Sequence, residues 1–131
     1  MIQSYKELTV WQRAKQLAIA TYILTEKFPK EELYGLTSQM RRSAVSIPSN
    51  IAEGRMRGTK KDFLSFLRIS YGSGAELETQ VEIAKEIFKK QNFNFSETES
   101  LLLETMKMLG AMIRKMNPNM TQANEAREAK S

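Results

Sequence analysis

The chain contains no histidine and no cysteine. Histidine is the usual general base near neutral pH and the commonest transition-metal ligand. Cysteine supplies thiolate nucleophiles, zinc ligands and disulfides. Their joint absence excludes Ser–His–Asp and Cys–His constellations, zinc sites of the common kinds, disulfide staples and thiol redox chemistry. An enzyme made from this chain would have to work with carboxylates, lysines or an oxygen-bound magnesium ion. Long apolar runs are missing as well, since no stretch approaches the ~20 apolar residues that a membrane-spanning helix needs. The opening MIQSYKELTVWQ lacks the charged-then-apolar pattern of a secretory signal. A cytoplasmic location with no membrane partner is therefore expected.

What is present reads as helix. The 131 residues suffice for one domain that buries roughly two-thirds of its unfolded surface. A hydrophobic fraction of 41% with 27% charged residues is ordinary for a globular chain. Val10, Ala14, Leu17, Thr21, Leu24 and Phe28 alternate steps of four and three, which predicts a first amphipathic helix. Phe63, Leu67, Ser70, Gly74, Leu77, Val81, Ala84 and Phe88 predict a third, and Leu102, Met106, Leu109, Ile113 and Met116 a fourth. Spacing of this kind is the seam of a bundle with shallow crossing angles. The expected fold is all-α, an antiparallel up-and-down four-helix bundle over residues 1–117, followed by a polar tail over 118–131. Pro29 is expected to stop the first helix. SETE at 96–99 reads as a capping box with Ser96 as N-cap and Glu99 as its partner.

The second helix carries Leu36, Met40, Ala44, Ile47 and Ile51 on one face, with Pro48 inside it. Proline removes a hydrogen bond to the Ala44 carbonyl, so a kink is expected there. Asn50 and Glu53 would re-cap the piece that follows, and Gly54 would suit its exit. In SYGSGAE, Gly72 and Gly74 each cost a helix roughly 1 kcal/mol relative to alanine. Close approach by a neighbour, with Ser43, Ala44 and Ser46 of the second helix as candidates, would offset that cost. The spacing fits neither a P-loop nor a dinucleotide fingerprint.

Charge is unevenly placed. Between Arg41 and Arg68 the chain has seven basic residues, Arg41, Arg42, Arg55, Arg57, Lys60, Lys61 and Arg68, against only Glu53 and Asp62. Elsewhere thirteen basic and thirteen acidic residues cancel, so this segment supplies the whole formal charge of +5. Lys60 and Lys61 would fall in the first turn of a helix starting near Thr59, an end that already carries about half a positive charge. Cations gathered at such an end, beside a glycine-flanked loop, form a ready anion site. Arg42, Arg55, Arg57, Lys60, Lys61 and Arg68 are the candidate nucleic-acid-binding residues; a solvated basic surface is the plainer reading. Arg41, one step round from the buried face, is expected to bridge to a glutamate of the third helix.

Catalysis finds little support. Glu78, Glu82 and Glu86 fall four apart, but a magnesium-dependent pyrophosphatase pattern is not matched, because Glu31-Glu32 has no third partner at helical spacing. A solvated face, with Glu86 and Lys90 as an i,i+4 pair, accounts for the stripe. No enzyme activity, metal or cofactor is expected. Helices one and four carry second apolar stripes, Trp11, Ala18 and Tyr22, and Leu101, Thr105, Met108 and Met112. These arcs exceed what one small bundle requires, which points to a homo-oligomer, with a thicker monomer core as the alternative.

ELTVWQRA at 7–14, FP at 28–29, LYGLTSQMRRSAVSIPSNIAEG at 33–54 and FLSFLRISYGSGAELETQ at 63–80 resemble the four-helix-bundle proteins encoded within intervening sequences of bacterial 23S ribosomal RNA genes. The match runs over about 5–116, with Ser43 where alanine is expected. The resemblance implies an antiparallel four-helix bundle without established catalysis, and ring-like homopentamers. It carries Arg41, Arg42, Pro48, Asn50, Glu53 and Gly54 over as a structural motif. A similar accessory protein of diversity-generating retroelements implies a basic ring that works with nucleic acid and a reverse transcriptase. Two functions are thereby expected: an RNA- or DNA-binding scaffold, or a protein-interaction ring that recruits a nucleic-acid enzyme.

Overall fold

A computed structural model describes residues 4–117. After a 3-10 turn at Tyr5–Glu7 come α1 (Thr9–Thr25), a 3-10 turn at Lys30–Glu32, α2 (Leu36–Met56), α3 (Lys60–Ile87) and α4 (Ser96–Met116). Each helix packs against two others, in the cyclic order α1, α2, α3, α4, which is an up-and-down four-helix bundle. Among the described residues there is no strand. The expected tail over 118–131 lies outside the described residues.

The apolar stripes form the core. Ala14, Leu17, Met40, Ala44, Ile47, Ile51, Leu67, Leu77, Ala84 and Leu109 are fully inaccessible. Thr21 and Thr25 share that face because their hydroxyls donate to the carbonyls of Leu17 and Thr21, both at 2.8 Å. At one end the core closes on four phenylalanines. Phe28 lies 4.8 Å from Phe88, 5.3 Å from Phe93 and 6.4 Å from Phe95, measured between ring centres. Phe28 reaches them because α1 ends earlier than Pro29. Beyond Thr25 the bonds tighten to i→i−3, Lys27 to Leu24 and Phe28 to Thr25.

Several local expectations change. Pro48 lies inside α2 as the sequence places it, and the helix continues beyond it to Met56. The piece beyond it needs no cap, and Asn50 donates its amide back to the Ser46 carbonyl (2.8 Å) and hydroxyl (2.9 Å). Glu53 pairs instead with Arg57. Gly54 is not the exit of α2 but a contact point within it. A Cβ there would stand 2.5 Å from the Phe66 Cβ, so glycine is what lets α2 and α3 close. The left-handed residue after the helix is Gly58, at φ +87°.

The small residues of α3 meet two neighbours. Ser70 donates to the Ile47 carbonyl at 2.9 Å, and the Ser46 and Ser73 hydroxyls share a 2.8 Å bond across α2 and α3. Gly74 is kept small by Met106 of α4, whereas a Cβ on Gly72 would meet nothing within 4 Å. Ser96 is the first residue of α4 and not its cap. Asn94 does that work, its Oδ1 accepting from the Ser96 amide (3.0 Å) and hydroxyl (2.7 Å). Glu99 reaches Lys85 at 3.0 Å, tying α4 to α3. Glu86 pairs with Lys89, three residues on, in place of Lys90.

A basic bundle end as a candidate nucleic-acid interface

Four-helix topology decides which charges meet. The start of α1, the end of α2, the start of α3 and the end of α4 all lie at one end of the bundle. Taking each helix to its midpoint, that half comprises residues 4–17, 46–73 and 106–117. It holds eleven basic residues and three acidic ones, Glu7, Glu53 and Asp62. The other half, residues 18–45 and 74–105, holds seven basic and ten acidic residues. A formal +8 therefore faces −3 along one small molecule.

The centre of the basic end is the α2–α3 turn. Thr59 caps α3 by accepting from the Asp62 amide at 3.1 Å. Lys60 and Lys61 follow it in the first turn, both exposed, and neither joins an ion pair among the described residues. Asp62 is the single acidic residue of that turn. Arg55 and Arg57 lie against aromatic faces at the end of α2, Arg55 at 5.7 Å from the Phe63 ring centre and Arg57 at 5.2 Å from that of Phe66. Arg57 is partly neutralised by Glu53 at 3.2 Å, with both side chains more than half exposed, which makes this a weak pair. The Arg55 Nε is buried with no hydrogen-bond acceptor among the described residues, an arrangement that leaves an unanswered donor in the cationic turn. Arg68 is exposed about two turns further along α3 and already has a partner.

Arg42 does not join this group. It stands about 20 Å up α2 from Arg55, at 1.5 Å per residue. Arg41 does not bridge to α3 either. Its Nε donates to the Thr25 hydroxyl at 2.9 Å and its guanidinium lies 4.6 Å from the Tyr22 ring centre, so it fastens α2 to α1. The basic end gains residues that the sequence reading did not group with it, above all Arg114 and Lys115 in the last turn of α4. Their signal was the even number of helices, which returns the end of the fourth to the start of the third.

The stripes proposed for self-association differ. On α4, Leu101, Met108 and Met112 are half-buried against the chain's own core and Thr105 is fully buried. On α1, Trp11 and Ala18 are also half-buried against the core, and with Tyr22, Ile19, Ile23 and Pro48 they border an apolar groove of about 590 Å³ between α1 and α2. Among the described residues, no group of three or more acidic residues is placed to hold a metal ion, and no helix is long and apolar enough to cross a membrane.

A family model described as 23S rRNA-intervening sequence protein matches residues 6–111. No curated protein matches the chain. Among solved structures, a protein of unknown function from the S23 ribosomal protein family of Bacteroides thetaiotaomicron is similar, with a TM-score of 0.66. The two are 21% identical, and the match covers 81% of this chain and 99% of that one. At that identity the likeness speaks for the fold.

Proposed function

The chain belongs to the family of 23S rRNA-intervening sequence proteins, and we propose that it acts without catalysis, as a basic bundle that binds RNA or DNA through the end where α2 meets α3. The observation that carries this reading is the gathering of eleven basic residues against three acidic ones at that end. Arg55, Arg57, Lys60, Lys61 and Arg68 form its contact surface. The first turn of α3 adds the positive end of the helix dipole to Lys60 and Lys61. The contacts are to phosphates, which position a strand without reading its sequence.

In this reading the protein works as a homo-oligomer, a pentameric ring by the family resemblance, so that the basic ends add and binding gains by avidity. The apolar groove between α1 and α2 supports a second reading, in which the ring recruits a nucleic-acid enzyme and nucleic-acid contact is secondary.

Fluorescence anisotropy with labelled single-stranded RNA and duplex DNA, repeated across salt concentrations, tests the first reading. Log K should fall linearly with log salt by about 0.7–0.9 for each phosphate contacted. A flat dependence would remove the phosphate contacts and leave recruitment as the better account. Light scattering at tens of micromolar should give a particle several times the 15.0 kDa monomer; a monomer there would refute the ring.

A further inference from the structure

A second cleft, of about 750 Å³, runs along α2 from Ser38 to Asn50 and is bordered by Tyr22 of α1 and by Leu33 and Tyr34 of the connection before α2. It is lined by Arg41, Arg42, Tyr22, Tyr34, Ser49 and Asn50 among others, and no acidic residue lines it. Its two arginines sit in the half that carries the formal −3. Its positive character is therefore local, and it comes from two adjacent arginines.

Arg41 is set in place before any ligand arrives. The Thr25 hydroxyl spends its own proton on the Thr21 carbonyl and so presents only a lone pair to the Arg41 Nε. A second Arg41 donor reaches the Tyr22 carbonyl at 3.5 Å, and the Tyr22 ring lies against the guanidinium. A guanidinium has five N–H donors, so three remain without an acceptor among the described residues. The group is half-buried, yet no carboxylate pairs with it among the described residues. A charge drawn partly out of water without a counter-ion is costly unless an anion answers it. Arg42, beside it, is exposed and equally without an ion pair among the described residues. Glu32, in the turn leading into α2, is occupied in accepting from the Leu36 amide at 3.2 Å.

The rest of the cleft is not phosphate chemistry. Tyr34 is 93% exposed, which for a tyrosine means an aromatic face offered to solvent, and Tyr22 is 42% exposed. Aromatic rings beside arginines are what stack and anchor a nucleobase. Asn50 spends its amide donors on Ser46, which leaves its carbonyl oxygen as an acceptor.

We propose that this cleft binds a nucleoside phosphate, with the phosphate on Arg41 and Arg42 and the base against Tyr34. The source is either a free nucleotide or the 5′-phosphorylated end of a strand, which present the same chemistry. The site is separate from the basic end and stands without it.

Calorimetric titration of the full chain with AMP, UMP, adenosine, ribose 5-phosphate and inorganic phosphate tests the proposal. AMP and UMP should bind at least tenfold tighter than adenosine, ribose 5-phosphate or phosphate, because only they engage both halves of the cleft. Arg42→Ala and Tyr34→Ala change exposed side chains and should leave the thermal melt unmoved. Tyr34→Ala should weaken AMP by at least about fivefold, the lower limit of a stacking contact, and Arg42→Ala by at least about tenfold, the lower limit of a hydrogen bond to a charged group. Replacing Arg55, Arg57, Lys60 and Lys61 together by Ala should leave AMP binding unchanged, so the two sites fail or succeed separately. AMP that competes with a 5′-phosphorylated oligonucleotide but not with its 5′-hydroxyl twin identifies a strand end; no competition with either identifies the free nucleotide. AMP binding no tighter than phosphate, or unaltered by both single variants, would overturn the proposal. So would a cleft covered by another copy of the chain and closed to AMP.

Discussion

At the far end of the bundle, four phenylalanines close the core and the surface carries more acid than base; at the near end, α2 and α3 close together at Gly54 and cations outnumber acids eleven to three. The far end is made to hold, since buried aromatic area contributes the most per residue. Surface ion pairs do not distinguish the two ends, since Lys85–Glu99 and Lys89–Glu86 at the far end are matched by Arg57–Glu53 at the near end and by Arg13 of α1, which pairs with Glu104 of α4. The near end has Lys60 and Lys61 at a helix start, where acidic residues are ordinarily favoured. Such local violations belong where a ligand completes the chemistry. In the proposed reading the far end supplies much of the stability and the near end the phosphate contacts to RNA or DNA, with the cleft at Arg41 and Arg42 a separate site.

The sharpest way to separate the two is to damage the far end. Phe28→Ala removes the ring that touches Phe88, Phe93 and Phe95. It should lower unfolding free energy by about 3–5 kcal/mol in urea denaturation, while the folded fraction keeps its RNA affinity. A parallel loss of affinity would mean that the ends are not independent. Next comes Gly54→Ala, whose new Cβ meets the Cβ of Phe66, an atom fixed to the backbone of α3. A loss of about 1–3 kcal/mol is expected from such overpacking, with weaker RNA binding, because the turn carrying the cations is displaced. Gly72→Ala is the control; with nothing within 4 Å it should gain up to about 1 kcal/mol. Were both substitutions neutral, the close approach of α2 and α3 would be wrong.

Thr59→Ala removes the acceptor of the Asp62 amide. A loss of about 1 kcal/mol is expected, again by urea denaturation, with a small decline in RNA affinity as the first turn of α3 frays. The smallest effect belongs to the far end. The hydrogen bond and charge of Glu99 hold the Lys85 ammonium above the usual lysine range. Because the folded pKa is raised, the contribution is complete below the ordinary lysine value and is lost only as pH climbs through the raised one. Lys85→Gln should therefore match the wild type closely in stability at strongly alkaline pH and differ from it, slightly, at neutral pH. A difference that grows with alkalinity would contradict the pairing.

Much of this architecture is legible in the sequence because burial on a helix is periodic. Val10 through Phe28 and Phe63 through Phe88 are buried where the alternating steps of three and four place them. The Thr59 start of α3 was readable for a similar reason, since a cap and the turn it begins are neighbours in sequence. What failed was the choice among local partners. Ser96 looked like the cap of α4, yet Phe95 takes that position and Asn94, just before it, accepts from the Ser96 amide. Gly54 looked like an exit because its real partner, Phe66, is twelve residues away and belongs to the next helix. Arg41 was assigned a charge partner, yet a hydroxyl and a ring on α1 hold it. Arg42 and Arg55 seemed one cluster in a run of basic residues, but a helix separates them along its length.

The central claim is that position, and not overall charge, makes the near end the nucleic-acid surface. Two quadruple variants with the same change in net charge test it: Arg55, Arg57, Lys60 and Lys61 to Ala at the near end, and Lys27, Lys30, Lys89 and Lys90 to Ala at the far end. Measured by anisotropy with single-stranded RNA across salt, the near-end variant should lose about three units of the log–log slope and most of its affinity at low salt, while the far-end variant stays close to wild type. Equal losses in the two variants, or none in the first, would contradict the account.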